Sequence, residues 1–585
     1  MIGPDPGPGG RHLVRVLSAL LREDVVGLRT RSLREDRPDG GWLRLDHPRG
    51  ALLLPVEPDG FQCELGARLP LVRREDAGGR TTTDLTTAEA VLAALGELAD
   101  PADRPGFAAF AEECRQSLAT ERLHRDTGGA LLARLADAYG PDPARWTDPL
   151  PFDALAARLD HPVYPTGRVR NGLTPHQLRS YAPEFHPTFR LRWLALPRSE
   201  VRDEGLSTTG DWPVPSALGL PPSLDDDHLL LPVHPLTAQG PLDGALAETG
   251  LHGRAVLAPR SYAEVSPTLS LRTVALAADP RTHLKVPLAT ASLGRLNRRT
   301  IKPGTLRDGA ACGRLLAAVI DREPRFRGTV LQADETRYAH ADHELLAVLR
   351  RRWPEGLDGS VVVSMASLTA PAPGGGLVVD RLADRFHGGD PVALLDAMLT
   401  LLFDWQTTLF GYGVALESHQ QNVSLVLDDR PDRPPLRLLF KDNDGPRIHA
   451  GRLRSALGGR ADGLLRDFHD PRITGDDDRP VLDLFATITV HLCAGAPAFA
   501  LARQGRAPLR ELLALVHDRL DAAVERLGTG ATAPGTALRA HVLDSPRLPV
   551  KAMVTAGTLL SKQRSGAQDI NKHYTTGPNY LLQGA

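Results

Sequence analysis

Along the first 145 residues, short apolar runs such as Ala51–Val56 alternate with segments of helical periodicity. The clearest helix opens at the capping box Thr86-Thr87-Ala88-Glu89 and runs to Leu98. A Pro-rich stretch, Gly140–Phe152, then breaks the pattern and predicts a boundary. Further on, Leu229–Val233 is a continuous apolar run, as expected of a buried strand, and it delivers His234 at its tip. His234 is one of three histidines from residue 161 onward that precede proline, with His161 and His186. Proline disfavours the helical region for the residue before it, so each histidine is expected in extended backbone.

Two stretches read as strand, turn, strand. In the first, Ser270–Leu276 leads through Asp279-Pro280-Arg281-Thr282 into His283–Leu288. A hairpin centred on Pro280 and Arg281 would pair Leu276 with Lys285 and set Ser270, Arg272 and Lys285 on one face, an anion-binding surface. In the second, Gly413–Asn422 runs into the strand Val423–Leu427, and an Asp- and Pro-rich turn returns through Leu436–Phe440 to Lys441-Asp442-Asn443-Asp444. Antiparallel pairing brings the ends together, so Glu417, His419, Asn422, Lys441, Asp442 and Asp444 should crowd one place. Their hard oxygen donors suit Mg2+.

Composition narrows the function. The 69 basic residues nearly balance the 71 acidic ones, which argues against a nucleic-acid partner. The start MIGPDPGPGGRH lacks a basic and apolar leader, and no stretch reads as 18 apolar residues, so neither secretion nor a membrane span is expected. Cys63, Cys114, Cys312 and Cys493 are scattered, which disfavours disulfides and cysteine-ligated metals and fits a reducing cytoplasm. The lysines of this arginine-rich chain are Lys285, Lys302, Lys441, Lys551, Lys562 and Lys572, with none before residue 285. Each marks a place where a compact ammonium could be needed on a phosphate or carboxylate oxygen.

Alone, the second hairpin resembles a phosphotransferase: His-x-x-Asn, a hairpin, then Asp is the order of a kinase catalytic loop and metal ligand. Yet Gln420 and Gln421 stand where the catalytic Asp would be, and no Gly-rich loop precedes them. ATP and Mg2+ remain as expectations; a kinase base does not.

Taken together, the segments resemble the IucA/IucC family, the siderophore synthetases that work independently of nonribosomal peptide synthetases. The resemblance spans roughly residues 140 to 585 and rests on motifs in family order. These are His161-Pro162-Val163-Tyr164-Pro165 with Gly167-Arg168-Val169-Arg170-Asn171-Gly172, Tyr181-Ala182-Pro183-Glu184-Phe185, Leu231–Pro235, Ser270-Leu271-Arg272-Thr273, Lys285, and Glu417–Asn422. It implies adenylation of a carboxylate of citrate or a related acid, such as 2-oxoglutarate, followed by condensation with an amine or hydroxyl. Ser270, Arg272, Thr273 and Lys285 would bind the phosphates, with Asn422 and Asp442 holding Mg2+ and nucleotide, helped by Glu417. His161, His419, Gln421 and Lys551 would face the acid. For catalysis, Lys285 and Arg272 would neutralise charge and His419 is the nearest candidate base.

The chain departs from the family pattern at Tyr164, where many relatives repeat His-Pro, and at Arg168, often Lys. After Lys285 the usual residues give way to Leu293–Arg299, so the acid-contacting arginine is Arg295, Arg298 or Arg299, with Arg295 favoured. The C-terminal third of such proteins is similar to ferric-siderophore reductases, which suggests a binding or reductase module as an alternative, although those hold a cluster through grouped cysteines and Cys493 stands alone. The implied fold is mixed α+β. An N-terminal α+β unit (1–145), a central unit with the first hairpin (146–390) and a C-terminal unit with the second (391–585) would correspond to the family's thumb, fingers and palm around a cleft. A cytoplasmic homodimer is expected.

Overall fold

The computed structural model of the chain describes residues 7–528, 530, 533–566 and 573–584. The opening residues 1–6 and the flagged Lys572 lie outside the described residues.

Near the N-terminus, the strands Leu33–Arg37, Gly40–His47, Gly50–Pro58, Val72–Asp76 and Thr82–Leu85 form an antiparallel sheet, with Leu65–Ala67 added beside Gly50–Pro58. The helix Gly7–Arg22 packs its apolar residues Leu13, Val16, Leu17 and Leu20 inward. Ala88–Leu98 is a helix as predicted, but its N-cap is Thr87, whose hydroxyl accepts from the Ala90 N–H. The 36-residue helix Arg104–Tyr139 follows and ends at Gly140, where φ is 88°.

A nine-stranded sheet occupies the centre, running in space from Val256–Leu257 through Phe189–Pro197, Tyr262–Pro267, Thr273–Leu276, Asp279–Lys285, Ala347–Arg352 and Asp334–His340 to Arg202–Glu204. His228–Val233 pairs with Phe189–Pro197, in agreement with the predicted strand. The first hairpin is present, but its register differs from the expectation. Thr273 is opposite Lys285 and Leu276 is opposite Asp279, with an irregularity after Ala275. The chain turns at Ala277-Ala278, before Pro280, because a tight connection closes as soon as the apolar run ends. Ser270 and Arg272 therefore lie in the loop before the strand, where Leu271 adopts a positive φ of 66°.

The second hairpin forms with the predicted limits, Val423 opposite Phe440 and Leu427 opposite Leu436. All ten residues of its strands are buried. Each fully buried Leu or Val there contributes about 1.5–3 kcal/mol, which is why the mainly apolar runs located the strands so well. Val361–Ser364 flanks one side and Val330–Gln332, in parallel, the other. At the turn end, Asp428 binds Arg430 at 2.6 Å and Arg437 at 3.2 Å.

One apolar cluster joins the N-terminal unit to the C-terminal third, from Leu17, Leu54 and Phe110 to Phe403, Leu425, Leu512 and Leu581. A second, with Trp193, Leu230, Val274 and Val348, serves the nine-stranded sheet. Against the expectation of no sufficiently apolar stretch, Pro391–Gly411 and Arg479–Arg503 are long and apolar enough to cross a membrane by length and composition. They are 61% and 94% buried within the protein, the pattern of core helices. The second contains a π-helical run, Phe485–Gly495.

Candidate active site

A cavity of about 590 Å³ lies where three loops meet the second hairpin. Its lining includes His161, Ser270, Arg272, Glu417, His419, Gln421, Asn422, Asp442 and Lys551 from the sequence-predicted set, together with Asp444. Lys285, Thr273 and Arg295 do not line it. Three lining residues, Leu271, Leu293 and Asp442, have positive φ although none is glycine. Such backbone is costly for non-glycine residues and clusters where function requires a fixed geometry.

The hairpin ends converge. Lys441 donates its N–H to the Asn422 carbonyl at 3.1 Å, which carries Asp442 to the cavity beside Asn422. Lys285 stands directly behind, its side chain 3% exposed, with Nζ 2.5 Å from Asp442 and 3.3 Å from Asp444. Two buried residues complete this layer. Arg351 donates from Nε to Glu335 at 2.5 Å and lies 3.3 Å from Asp442, and the Asp442 N–H bonds to Glu335 at 2.9 Å. Burial opposes ionisation of Asp442, yet Lys285, Arg351 and Arg272 hold its carboxyl far below the ordinary range. Thr273 accepts the Ser270 hydroxyl at 2.9 Å, so it fixes Ser270 from beneath the cavity floor.

Among the described residues, no group of three or more His, Cys, Asp or Glu could enclose a metal ion. Mg2+ in nucleotide sites commonly takes one or two carboxylates and completes its shell with phosphates and water. Asn422, Asp442 and Asp444, with cations beside them for the phosphates, fit that donor set.

His161 and His419 line the cavity near one another. His161 Nδ1 accepts from the N–H groups of Tyr164 at 3.0 Å and Val163 at 3.3 Å, which leaves the ring proton on Nε2 as a donor. Burial, then the neighbouring His419, lowers His161 to about 3. Burial and Lys551 lower His419 to about 4. Both rings are therefore neutral at pH 7. Lys551 Nζ lies 3.3 Å from Glu417. Glu417 in turn crowds Gly445, where an added Cβ would sit 2.8 Å from Oε2.

Among the three candidate arginines, Arg299 alone lines the cavity. Arg295 is exposed, because its N–H is turned inward to Glu113 at 3.0 Å and Thr558 at 3.1 Å. Arg298 pairs with Glu344 at the surface. The loop is pinned by Gly294 (φ 108°), where a Cβ would lie 2.8 Å from the Gly557 Cα. Arg299 donates to the Ser270 carbonyl at 3.1 Å. Burial, then Arg272 and Arg170, lowers it to about 9, the sign of a cation held without enough anions.

Sequence reasoning missed Arg299 as first choice, and Glu335 and Arg351 entirely; those two lie on strands with no motif, brought in by sheet pairing. His234, at the tip of its strand, is fully buried between Tyr181 and Phe189, and its Nδ1 caps the following helix by accepting from Leu236 N–H. His186 is not extended; it ends a short 3-10 turn at φ 47°. The remaining wall is apolar: Met365 and Leu368 face Ile488, Leu492, Ala496, Pro497 and Ala500 of the helix Arg479–Arg503.

The chain matches the IucA / IucC family over residues 152–370 and the family described as ferric iron reductase FhuF-like transporter over residues 393–566. The latter range contains one cysteine, Cys493, buried and donating to the Ser418 carbonyl. Staphyloferrin B synthase of Staphylococcus aureus (strain NCTC 8325 / PS 47) is 22% identical over 451 residues, 74% of this chain and 76% of that one. Among solved structures, ATP-bound aerobactin synthetase IucA from a hypervirulent pathotype of Klebsiella pneumoniae superposes with a TM-score of 0.70 at 19% identity, covering 97% of this chain and 99% of that one. Petrobactin biosynthesis protein AsbB from Bacillus anthracis str. Sterne does so with a TM-score of 0.73 at 16% identity, covering 98% and 96%. The fold is shared with these synthetases, and the motifs and the matched range agree in likening residues 152–370 to the IucA / IucC family.

Proposed function

We propose that this protein is an ATP-dependent ligase of siderophore biosynthesis that adenylates a carboxylate of citrate, or of a related acid such as 2-oxoglutarate, and condenses it with an amine or hydroxyl. The observation that carries the reading is the meeting of the two hairpin ends: Lys285 against Asp442 and Asp444, with Ser270, Arg272, Asn422 and Glu417 in the same cavity. Relatives named as a spermidine-citrate ligase of Bacillus anthracis and as staphyloferrin synthases support the substrate class.

In the first step the acid's carboxylate oxygen attacks the α-phosphorus of ATP, and the bond to the β-phosphate breaks to release pyrophosphate. Two anions must meet, so positioning and charge neutralisation dominate. Ser270 and Arg272 would hold phosphate oxygens, and Lys285 would move from its carboxylate partners onto them. Asp442 and Asn422 would hold Mg2+, which supplies further neutralisation of the phosphates. Arg299, Lys551, Gln421 and the Nε2–H of His161 would orient the acid. In the second step the amine or hydroxyl attacks the acyl carbon, its proton passes to a base and AMP leaves. His419, neutral at pH 7, would offer a ring-nitrogen electron pair for that proton. The apolar wall offers room for the body of the nucleophile.

We place the enzyme in the cytoplasm, where four free cysteines stay reduced, and expect a homodimer, which sedimentation would test. Product chromatography tests the main reading. AMP and pyrophosphate, formed only when the acid is present, are the expected products; ADP as the main acid-dependent product would favour a phosphotransferase.

A further inference from the structure

Three guanidinium groups, Arg170, Arg272 and Arg299, line the same cavity. The Nε of each is buried and has no hydrogen-bond partner. Their backbones interlock. The Asn171 carbonyl accepts the Thr290 hydroxyl at 2.6 Å, the Asn171 N–H bonds to Ala291 at 2.9 Å, and the Arg299 N–H bonds to Thr290 at 2.8 Å. Arg272 donates to the Thr300 carbonyl. Arg170 is thus fixed beside Arg299 by main-chain bonds.

Behind Arg170 sits Glu184, fully buried in the short turn Pro183–Phe185. Neither of its carboxylate oxygens makes a hydrogen bond. They lie 3.7 Å from Arg170 Nη2 and 3.8 Å from His124 Nε2. Burial holds His124 below its ordinary value, so at neutral pH Arg170 is the cation that balances Glu184. A buried carboxylate without hydrogen bonds is costly. Its placement makes physical sense if it holds Nη2 of Arg170 while Nη1 donates to the Gly167 and Val169 carbonyls at 2.9 and 3.1 Å, which fixes the guanidinium at the cavity wall and leaves Nε–H without a protein partner.

We propose that Arg170 is an anion-binding residue of this cavity, acting with Arg272 and Arg299, and that Glu184 is its positioning residue. The ligand is an oxyanion: a phosphate of the nucleotide or a carboxylate of the acid. The proposal rests on the adenylation reading for its substrates but not for its geometry. It gives a role to two motifs, Gly167–Gly172 and Tyr181–Phe185, that the site otherwise leaves without one.

The test uses the full chain, with Mg-ATP, pyrophosphate and citrate as calorimetric probes and acid-dependent pyrophosphate release as the kinetic readout. Arg170→Gln is expected to weaken one class of probe, phosphate or carboxylate, at least about tenfold while the other stays within about twofold, which identifies the bound oxyanion. Arg170→Lys should not restore it, since a point charge cannot replace the fork held by Glu184. Glu184→Gln should show the same selective loss, and the double variant Arg170→Gln/Glu184→Gln should be no worse than Arg170→Gln alone, as required of a residue acting through another. The double variant also removes the charge pair together and so guards against misfolding of Glu184→Gln. Wild-type binding of all probes by folded Arg170→Gln, an even loss across both classes, or additive effects in the double variant would overturn the proposal. Failure of the wild type to bind ATP would instead overturn adenylation, and pyrophosphate and citrate would still read the arginine cluster.

Discussion

The Nζ of Lys285 lies 2.5 Å from the Oδ1 of Asp442, across 157 positions of sequence, and joins the end of one hairpin to the end of the other. Each residue neutralises the other in this ion pair. Triphosphate binding would draw the ammonium away and leave the carboxylate to Mg2+.

Asp442→Asn is therefore expected to abolish turnover and also to lower stability. The carboxylate sits among Lys285, Arg351 and Arg272, and removing it leaves buried cations short of an anion. Breaking such a buried pair costs about 3–5 kcal/mol, with Glu335 offsetting part of it through Arg351. Thermal unfolding without ligand should show a lowered Tm, and the stabilisation that Mg-ATP gives the wild type should largely vanish. Full activity in this variant would move the nucleotide site elsewhere.

Lys285→Ala and Arg272→Ala should each raise the KM for ATP and lower kcat, since their charges act on ground-state phosphates and on the charge developing at phosphorus. Lys285→Arg should recover only part of the loss. The Lys285 side chain is 3% exposed between two carboxylates, a slot for a point charge and not for a planar fork. Steady-state kinetics with ATP varied would decide, and wild-type values in all three would leave Lys285 a structural ion pair.

Arg299 and Arg295 give opposite expectations. Arg299→Ala should raise the KM for the acid at least about tenfold, the scale of a lost charge-assisted bond to carboxylate, whereas Arg295→Ala should stay within about twofold because an exposed side chain away from the cavity contributes little. Reversal of that order would restore Arg295 as the acid-contacting residue.

Acid sensitivity should trace to the two buried histidines. Their folded values, about 3 for His161 and about 4 for His419, lie below the ordinary 6.5. Between 6.5 and those values the unfolded chain binds protons that the folded chain does not, so stability is full above 6.5 and falls as pH drops toward 4. His161→Gln/His419→Gln should flatten the decline of Tm between pH 6.5 and 4.5. If His419 accepts the nucleophile's proton, the acid limb it contributes to kcat/KM should lie near 4; a limb at 6.5 lost in His419→Gln would show that the ring is not shielded in the working enzyme.

The sequence alone determined the second hairpin to the residue, because two mainly apolar runs of equal length, interrupted only by Ser424 and Arg437, flank one polar turn. It also determined which polar residues stand at the hairpin ends, and the motif order that carries the family resemblance. The first hairpin was legible as a hairpin but not in register, since a short polar strand is positioned by where its turn closes and by its neighbours in the sheet. Only the tertiary structure decided that Arg299 and not Arg295 enters the cavity, through the inward bonds of the Arg295 N–H to Glu113 and Thr558 from distant parts of the chain. The same holds for Glu335 and Arg351, and for Glu184 behind Arg170. A buried charge takes its meaning from the counter-charge that packing places beside it, and neither the 16 positions between Glu335 and Arg351 nor the 157 between Lys285 and Asp442 leave a local pattern to read.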